Sequence, residues 1–397
     1  MPNADLQTRG LVSHRAKQLK EEGAFVAGDA ADRRAARGDI IVVRDHIGQL
    51  DFPMSRRVSG RIATSVRQRR YQRYCSSAGL SELRTRVARE FHETRGLPND
   101  PEHILIGAGA KDTNFQAIVT VLDEGDRAAM FRPCYPQYRD AVLMAGGVPV
   151  ALDMVDTGTG FSIDFDELES HLPTARMLIL NLPHNPTGTV LSEGETRRLL
   201  DLLLKYPHVI ILLDEVYSKI LFDGEVFHSL SMYSQLWSRI IVVDGPSKPF
   251  LMTGSRLGWA WMPKELAVYA ARALNVGHSC TAPFVQAGGL EALDLPRKDV
   301  ELMVAKLQRR RDEMVRLLNG IRDFRCCSPQ AAIYVYAYVG DLTDDADALK
   351  DRMLEEIGVS VLSGKDFDDP RPYLRFSLGL PITQIRVMAG RIKALLN

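Results

Sequence analysis

The chain has 397 residues, which at roughly 150 residues per domain is enough for one large domain with a smaller one beside it. Its 50 lysine and arginine residues balance 50 aspartate and glutamate residues, and 45% of the chain is hydrophobic. This composition is typical of a folded globular protein. It argues against a disordered chain, and against a main role in binding nucleic acid, which usually requires a basic excess.

Neither a membrane span nor a secretory signal is visible in the sequence. The longest apolar runs are far shorter than the roughly 18 residues that a spanning helix needs, and the first 20 residues are polar and basic. The cysteines are odd in number and have no C-x-x-C spacing: Cys75, Cys134, Cys280, Cys326 and Cys327. An odd set would leave one thiol unpaired outside the cell, so we expect a cytoplasmic protein without a membrane partner.

Residues 1 to about 40 have a basic, helical pattern that glycines interrupt, and a different rhythm begins near residue 100. From there, short apolar runs recur at 103–106, 128–131, 148–152, 177–180, 209–213 and 240–243. Most are separated by segments with helical spacing, such as 192–205, where Ser192 and Glu195 form a capping box. Strands that are apolar on both faces and alternate with helices predict a mostly parallel sheet covered by helices.

The pattern changes after about residue 295. A long charged helix is followed by an alternating strand at 333–339, a helix at 344–357 and a strand at 372–377. This succession predicts a smaller α+β domain.

Polar clusters follow four of the predicted strands, in segments 107–111, 181–188, 214–217 and 247–258. Each cluster alone could be an ordinary turn or a helix cap. In α/β sheets, however, ligands bind at the carboxyl ends of the strands, so four such clusters predict one shared site.

These motifs resemble those of the class I/II pyridoxal-phosphate aminotransferases, the aspartate-aminotransferase-like enzymes of fold type I, over nearly the whole chain. The motifs are Gly48-Gln-Leu-Asp-Phe52, Tyr74 with Ala78-Gly-Leu-Ser-Glu-Leu-Arg84, Pro133-Cys-Tyr-Pro136, Asn181-Leu-Pro-His-Asn-Pro-Thr-Gly188, Asp214-Glu-Val-Tyr217, Ser247-Lys248 through Arg256 to Gly258, and Tyr373-Leu-Arg-Phe-Ser377. The spacing between Lys248 and Arg256 is that of the family.

The resemblance implies a fold and a domain division. The fold is α/β, with a mostly parallel seven-stranded sheet covered by helices and a smaller α+β domain. Residues 48–295 are expected to form the large cofactor-binding domain and 296–397 the small C-terminal domain. Residues 1–47 are expected to be an N-terminal helical segment that belongs to the small domain.

The resemblance also implies a pyridoxal 5'-phosphate cofactor and catalytic roles for Lys248, Asp214 and Tyr217. Lys248 would form the Schiff base with the cofactor, and its freed amine would then move the substrate proton. A buried carboxylate beside the pyridine nitrogen keeps that nitrogen protonated, and Asp214 matches it. Asn185 and Tyr217 match the donors to the phenolic oxygen of the cofactor.

The cofactor's phosphate is expected at a helix N-terminus opened by Gly109, Ala110 and Lys111, with Arg256 as its cation and Ser247 as a further contact. This stretch matches neither of the glycine-rich nucleotide motifs, G-x-G-x-x-G and G-x-x-x-x-G-K-[ST], so we do not expect a nucleotide there.

Two tyrosines complete the expected cofactor site. Tyr135 would stack on the face of the cofactor ring. Tyr74 matches a residue that, in the family, reaches the phosphate of the neighbouring subunit, which implies a homodimer with composite sites. No metal is expected.

Substrate contacts are expected from Gly48, Asn185 and Arg375. Arg375 matches the arginine that binds the substrate α-carboxylate, a task suited to a planar bidentate partner. No second arginine presents itself for a distal carboxylate, so an aspartate-type specificity is not supported. His46 and His184 flank these motifs, and we expect both to be structural rather than proton shuttles.

The sequence departs from the family pattern at two places. The family's Gly-Glu-Pro is Gly48-Gln49-Leu50, and its P-x-G-A-F-Y motif is Pro329-Gln-Ala-Ala-Ile-Tyr334. Because the first segment closes over the substrate in relatives, we expect an altered pocket for the substrate side chain.

Three functions therefore remain open. The favoured one is amino transfer by a ping-pong mechanism, in which an amino acid gives its amine to the cofactor and a 2-oxo acid then takes it. The same cofactor chemistry could instead end in elimination, cyclisation or oxidation, since a fold does not determine a function. An effector domain of a transcription regulator is disfavoured, because only about 47 residues precede Gly48 and the site residues are intact.

Overall fold

A computed structural model describes residues 11–396. Part of the predicted N-terminal segment, residues 1–10, lies outside the described residues. The helices are α1 His14–Gln18, α2 Gly23–Ala35, α3 Arg56–Ser65, α4 Ser81–Arg95, α5 Ala110–Val121, α6 Gln137–Ala145, α7 Phe165–His171, α8 Glu193–Leu204, α9 Lys264–His278, α10 Pro283–Leu293, α11 Arg297–Leu318, α12 Ala346–Ile357 and α13 Ile382–Leu396.

The strands are β1 Val43–Arg44, β2 Ile104–Gly107, β3 Arg127–Arg132, β4 Val148–Asp156, β5 Phe161–Ile163, β6 Ala175–Asn181, β7 Ile210–Asp214, β8 Ile240–Asp244, β9 Gly258–Trp261, β10 Arg325–Cys326, β11 Tyr334–Tyr338, β12 Val359–Ser360, β13 Leu362–Ser363 and β14 Tyr373–Ser377. The six apolar runs of the sequence each coincide with one of the strands β2 to β8.

The large sheet has the strand order β2-β9-β8-β7-β6-β3-β4-β5. The five strands β8, β7, β6, β3 and β4 pair in parallel, so the predicted mostly parallel sheet is confirmed. Seven strands were expected in this sheet, but it has eight. The additional strand is the three-residue β5, which pairs antiparallel with the end of β4. Strand β9 is antiparallel to both of its neighbours and was not predicted, because it is only four residues long and begins at the last residue of the lysine motif.

Helices cover both faces of this sheet. Apolar side chains of α4, α7, α8 and α10 pack on one face, and those of α5, α6 and α9 pack on the other. The strands are therefore buried from both sides, which is why they are apolar in sequence rather than alternating. Helix α8 begins with the predicted capping box of Ser192 and Glu195.

A second, antiparallel sheet has the order β10-β11-β14-β13 and packs with α11, α12 and α13 around a separate apolar core. The N-terminal segment joins this part of the molecule, because β1 pairs in parallel with β12. The numerical domain boundaries given above remain a prediction.

The parallel strands of the large sheet end side by side. Asn181 at the end of β6 is in register with Asp214 at the end of β7, and Asp214 is in register with Val243 of β8. Helix α5 begins three residues after β2. Across residues 11–396, no helix combines the length and the apolar character needed to cross a membrane.

Candidate active site

A cavity of about 520 Å³ lies at the carboxyl ends of the central strands. The predicted site residues that line it are Gly48, Ala110, Lys111, Tyr135, Asn185, Asp214, Tyr217, Ser247, Lys248, Arg256 and Arg375. Gly109 lies directly behind this lining, against Arg256. The cavity also has the size of a small-molecule site. Within the described residues no cluster of three or more potential metal ligands occurs.

Asp214 forms the floor of the cavity. Its Oδ2 accepts hydrogen bonds from Asn114 Nδ2 at 2.6 Å and from the Tyr138 hydroxyl at 2.7 Å. Burial raises the pKa of Asp214 above its ordinary value, and the two hydrogen bonds act in the opposite direction. A buried carboxylate held in this way is suited to pairing with a protonated ring nitrogen.

Lys248 follows β8 and enters the cavity from one side. Its Nζ donates a hydrogen bond of 2.6 Å to the carbonyl oxygen of Gly48 and lies 5.7 Å from the centre of the Tyr217 ring. The amine is therefore positioned inside the cavity by a backbone acceptor and has no carboxylate partner among the described residues.

Asn185 and Tyr217 face the same space. Within residues 11–396, the buried Oδ1 of Asn185 has no hydrogen-bond partner, so the end of this side chain is available to a ligand. The Tyr217 hydroxyl lies 2.9 Å from the hydroxyl of Tyr334. Burial raises the pKa of Tyr217 well above its ordinary range, which keeps its hydroxyl protonated and able to donate.

An anion-binding corner lies where α5 begins. The N–H groups in the first turn of a helix have no acceptor within the helix, and here they follow Gly109 at φ +100°. A Cβ on Gly109 would lie 2.5 Å from Nη2 of Arg256, so glycine allows the guanidinium to approach the backbone. Ser247 lines the same cavity, and together these groups form a site for a phosphate.

Arg375 reaches the cavity from β14. Its Nη2 donates to the carbonyl oxygen of His46 at 2.6 Å, while its buried Nε has no partner within the described part of the chain. Nearby Asp45 accepts a hydrogen bond from the Ser377 amide at 2.8 Å. Burial raises the pKa of Asp45 well above its ordinary range, which disfavours a competing carboxylate and leaves the positive charge of Arg375 for a ligand.

The N-terminal segment closes one side of the cavity. The carboxylate of Glu22 pairs with Lys111, and its Oε1 accepts a hydrogen bond of 3.1 Å from the Tyr135 hydroxyl. Lys111 Nζ also lies 5.4 Å from the centre of the Tyr135 ring. Lys111 therefore contributes its backbone to the start of α5, whereas its charged end is directed to Glu22.

Tyr74 is the one predicted site residue remote from the cavity of its own chain. Its side chain is 88% exposed, and it does not line the cavity. Its position relative to a second subunit stays a prediction.

The two histidines beside the motifs are buried and make local contacts. His46 Nδ1 lies 2.8 Å from the Ser360 hydroxyl, and His184 Nδ1 lies 2.8 Å from the Thr187 hydroxyl. Burial lowers the pKa of each to about 4. Both are thus neutral side chains that hold loops in place, as expected for structural histidines.

An ionic network supports the floor of the site from behind. The Arg95 guanidinium donates to Glu215 at 2.6 Å and to Asp244 at 3.0 Å, and all three side chains are buried. Glu215 follows Asp214 in the chain, so this network fixes the backbone on which Asp214 is carried.

Three residues of the site were missed by reasoning from the sequence. Tyr138, in the first turn of α6, lies three residues after Tyr135 and contacts its ring edge to face, and Asn114 lies one helical turn after Ala110 on α5. Both spacings are visible in the sequence and could have suggested a shared face. Glu22 carries no such local signal, because its partners lie about 90 and 110 residues away.

Comparisons with known proteins show the family and the fold of the chain. A family model for class I and II aminotransferases matches residues 46–392, which include every predicted site residue. The chain is 31% identical over 359 residues to an aspartate aminotransferase of Rhizobium meliloti (strain 1021), covering 87% of each chain. It is 30% identical over 384 residues to an aspartate/prephenate aminotransferase of Cereibacter sphaeroides, covering 93% of this chain and 94% of the relative. The crystal structure of an aspartate aminotransferase from Rhizobium meliloti superimposes with a TM-score of 0.91 at 28% identity, covering 97% of this chain and 98% of that chain.

Proposed function

The chain belongs to the class I and II aminotransferases, and on that basis we propose that the cavity at the carboxyl ends of β6, β7 and β8 is its active site. The protein is a pyridoxal-phosphate-dependent enzyme that moves an amino group from an amino acid to a 2-oxo acid by the ping-pong mechanism general to the family. The observation that carries the site assignment is the convergence of Lys248, Asp214 and Arg375 on one cavity.

The residues present fit the cofactor. A protonated pyridine nitrogen would meet the buried carboxylate of Asp214, and the phenolic oxygen would meet Asn185 and Tyr217. The phosphate would occupy the start of α5 at Gly109, Ala110 and Lys111, with Ser247 and Arg256 beside it, and Tyr135 would cover the ring. The side chain of Asn185 supports this arrangement, because it makes no hydrogen bond within residues 11–396 and its amide N–H groups can therefore donate to the phenolic oxygen.

When bound, pyridoxal phosphate supplies the aldehyde that takes up an amino group and the ring that withdraws electrons from the substrate Cα. Lys248 would hold the cofactor through its Nζ, and its free amine would be the base that takes the proton from the substrate Cα. Asp214 would keep the ring nitrogen protonated, which is the state that withdraws electrons. Tyr217 and Asn185 would stabilise negative charge on the phenolic oxygen.

Substrate orientation is assigned to Arg375. A guanidinium can bind both oxygens of an α-carboxylate in one plane, and Nε of Arg375 lacks a protein partner for that purpose. Gly48 presents its backbone on the same side, and the nearby hydroxyl of Tyr334 leaves no room for a larger residue at that position. Held by its carboxylate, the substrate presents Cα to Lys248.

We further propose a homodimer in which Tyr74 reaches the phosphate of the neighbouring active site. Its exposed position outside its own cavity supports this. We propose a cytoplasmic location, which the odd number of cysteines supports, because all five thiols are unpaired.

The absorbance of the purified protein tests the site assignment. Holoenzyme should show a band near the visible edge that bleaches when a suitable amino acid is added and returns with a 2-oxo acid, whereas Lys248→Ala should lack that band. The same band in Lys248→Ala would contradict the assignment of the lysine. Oxygen consumption, or a long-lived band at longer wavelength, would indicate that this cavity completes a different reaction.

A further inference from the structure

The charges that line the cavity can be assigned one by one. The cationic side chains among its lining residues are Lys111, Lys248, Arg256 and Arg375, and the anionic ones are Glu22 and Asp214. In the proposed function, on which this inference rests, Lys248 and Asp214 serve the cofactor ring, Arg256 its phosphate and Arg375 the substrate α-carboxylate. Lys111 and Glu22 are therefore the two charges left to meet the substrate side chain.

These two remaining charges are already paired with each other. One carboxylate oxygen of Glu22 contacts Lys111 Nζ, and the other accepts the hydrogen bond from Tyr135. Neither side chain is highly exposed, since Lys111 retains 40% and Glu22 27% of its side-chain accessibility. A substrate carboxylate that approached Lys111 would lie beside the carboxylate of Glu22, and the two like charges would repel each other.

The segment that carries Glu22 is fixed on both sides. Arg139 of α6 donates to the carbonyl oxygen of Gln18 at 3.3 Å, and Lys20 forms an ion pair with Asp368. Gly23 packs against the Asp366 carboxyl group, which a larger residue at that position would have to displace. Glu22 is thus held between two anchors rather than on a free terminus.

The rest of the nearby lining is uncharged. Phe25, Ile47, Tyr135 and Tyr334 line the cavity, together with the amide side chains of Gln49 and Gln137. None of these side chains offers a charge, so they suit a substrate side chain that carries none.

We infer that Glu22 is a specificity-determining residue which occupies Lys111, so that the preferred amino donor has an uncharged side chain. Aspartate and glutamate are disfavoured because Glu22 already neutralises Lys111 and its carboxylate repels theirs. A basic side chain gains little, because Glu22 is neutralised by Lys111. Glu22 lies outside the region that matches the family model, so this specificity is a property of the chain's own N-terminal segment.

The test compares donors that have nearly the same shape and differ in charge. Holoenzyme is mixed with aspartate or asparagine, and with glutamate or glutamine, without any 2-oxo acid, and bleaching of the cofactor band gives a rate constant for each donor. We expect the wild type to favour the amides. Glu22→Gln, whose amide oxygen can still accept from Tyr135, should shift the acid-to-amide ratio towards the acids by about tenfold or more.

Two further variants test whether the released Lys111 causes the shift in the acid-to-amide ratio. Adding Lys111→Met to Glu22→Gln should abolish the gain, because the released cation is then missing. Glu21→Gln makes the same charge change one residue earlier, at an exposed position, and should leave the ratio at the wild-type value. Calorimetry gives a readout without catalysis, since unreactive succinate should bind Glu22→Gln about tenfold more tightly than wild type, whereas butanoate should not.

The inference is overturned if wild type uses aspartate or glutamate as well as the amides, or if Glu22→Gln leaves the ratio unchanged. A preference for lysine of more than about tenfold over glutamine would also overturn it. Absence of the cofactor band from the wild-type holoenzyme preparation would instead remove the proposed function on which the inference rests.

Discussion

The hydroxyl of Tyr138 donates a hydrogen bond of 2.7 Å to Oδ2 of Asp214. Asn114 donates to the same oxygen, so the carboxylate at the floor of the active site is oriented by two helices on one face of the sheet. Both donors favour the charged form of Asp214, which burial alone would disfavour. The carboxylate that is assigned to the protonated ring nitrogen therefore depends on residues outside the family motifs.

Tyr138→Phe should lower kcat by about ten- to a hundredfold, because it removes one hydrogen bond to a buried charged group. Asp214→Asn should lower kcat further, by about a thousandfold, because no carboxylate then remains beside the ring nitrogen. Steady-state kinetics of both variants with the best donor would check this order. Tyr269→Phe, on the exposed side of α9, is the matched control, and an equal loss in that variant would contradict the assignment.

Arg375→Lys should raise KM for the amino acid by about a hundredfold, because lysine keeps the charge but loses the planar pair of donors. Retention of the cofactor should not change, since Arg375 is assigned to the substrate rather than to the phosphate. Kinetics and the absorbance of the same preparation would measure both quantities. Loss of the cofactor band with KM unchanged would show that Arg375 serves the cofactor.

Tyr74 can be assigned to one subunit or the other by mixing inactive variants. A mixed dimer of Lys248→Ala with Tyr74→Ala contains one fully intact site if Tyr74 acts on the neighbouring subunit, and none if it acts on its own. We therefore expect mixing after dissociation and reassociation to restore up to about half of the activity per mixed dimer. No recovery, with exchange of subunits verified by differently tagged chains, would contradict the composite site.

Arg95→Met should lower the free energy of unfolding by about 3 to 5 kcal/mol, because it leaves Glu215 and Asp244 buried without their common cation. Urea denaturation followed by circular dichroism would measure the loss. Arg322→Met provides the control, since the Arg322 side chain is 83% exposed and pairs only at the surface. A loss of similar size in the two variants would mean that the buried network does not stabilise the fold.

Because His184 is buried and neutral, we expect the protein to lose stability in acid. Its pKa is lowered to about 4 by burial, below the ordinary value of about 6.5, so the unfolded chain binds the proton more readily. The stabilisation is complete above pH 6.5 and is lost as the pH falls towards 4, by up to about 3 kcal/mol. Urea unfolding at pH 7 and pH 4.5 should therefore differ less for His184→Asn than for wild type, whereas exposed His14→Asn should match wild type.

Local patterns in the sequence were sufficient for much of the fold. The apolar runs predicted six strands of the large sheet, because strands buried on both faces are distinct from amphipathic helices. Strand β9 was missed because its four residues, Gly258 to Trp261, are short and adjoin a recognised loop motif. The three-residue β5 is held by pairing with β4, a long-range contact that the sequence of either strand alone does not show.

The candidate site was predictable to the extent that its residues lie in motifs at strand ends. Lys248, Asp214 and Arg375 line one cavity, as the order of their motifs suggested. Glu22 was not predictable, because its contacts with Lys111 and Tyr135 form only when the N-terminal segment crosses the completed fold. A charged residue in a basic helical segment is ordinarily a solvated one.

One short loop supports both Arg375 and Lys248. The carbonyl oxygen of His46 accepts from Arg375, and that of Gly48, two residues on, accepts from Lys248. The guanidinium assigned to the substrate carboxylate and the lysine amine therefore share a support that is only three residues long. Substitutions in this loop, including at Ile47 between the two carbonyl groups, should therefore change KM and kcat together.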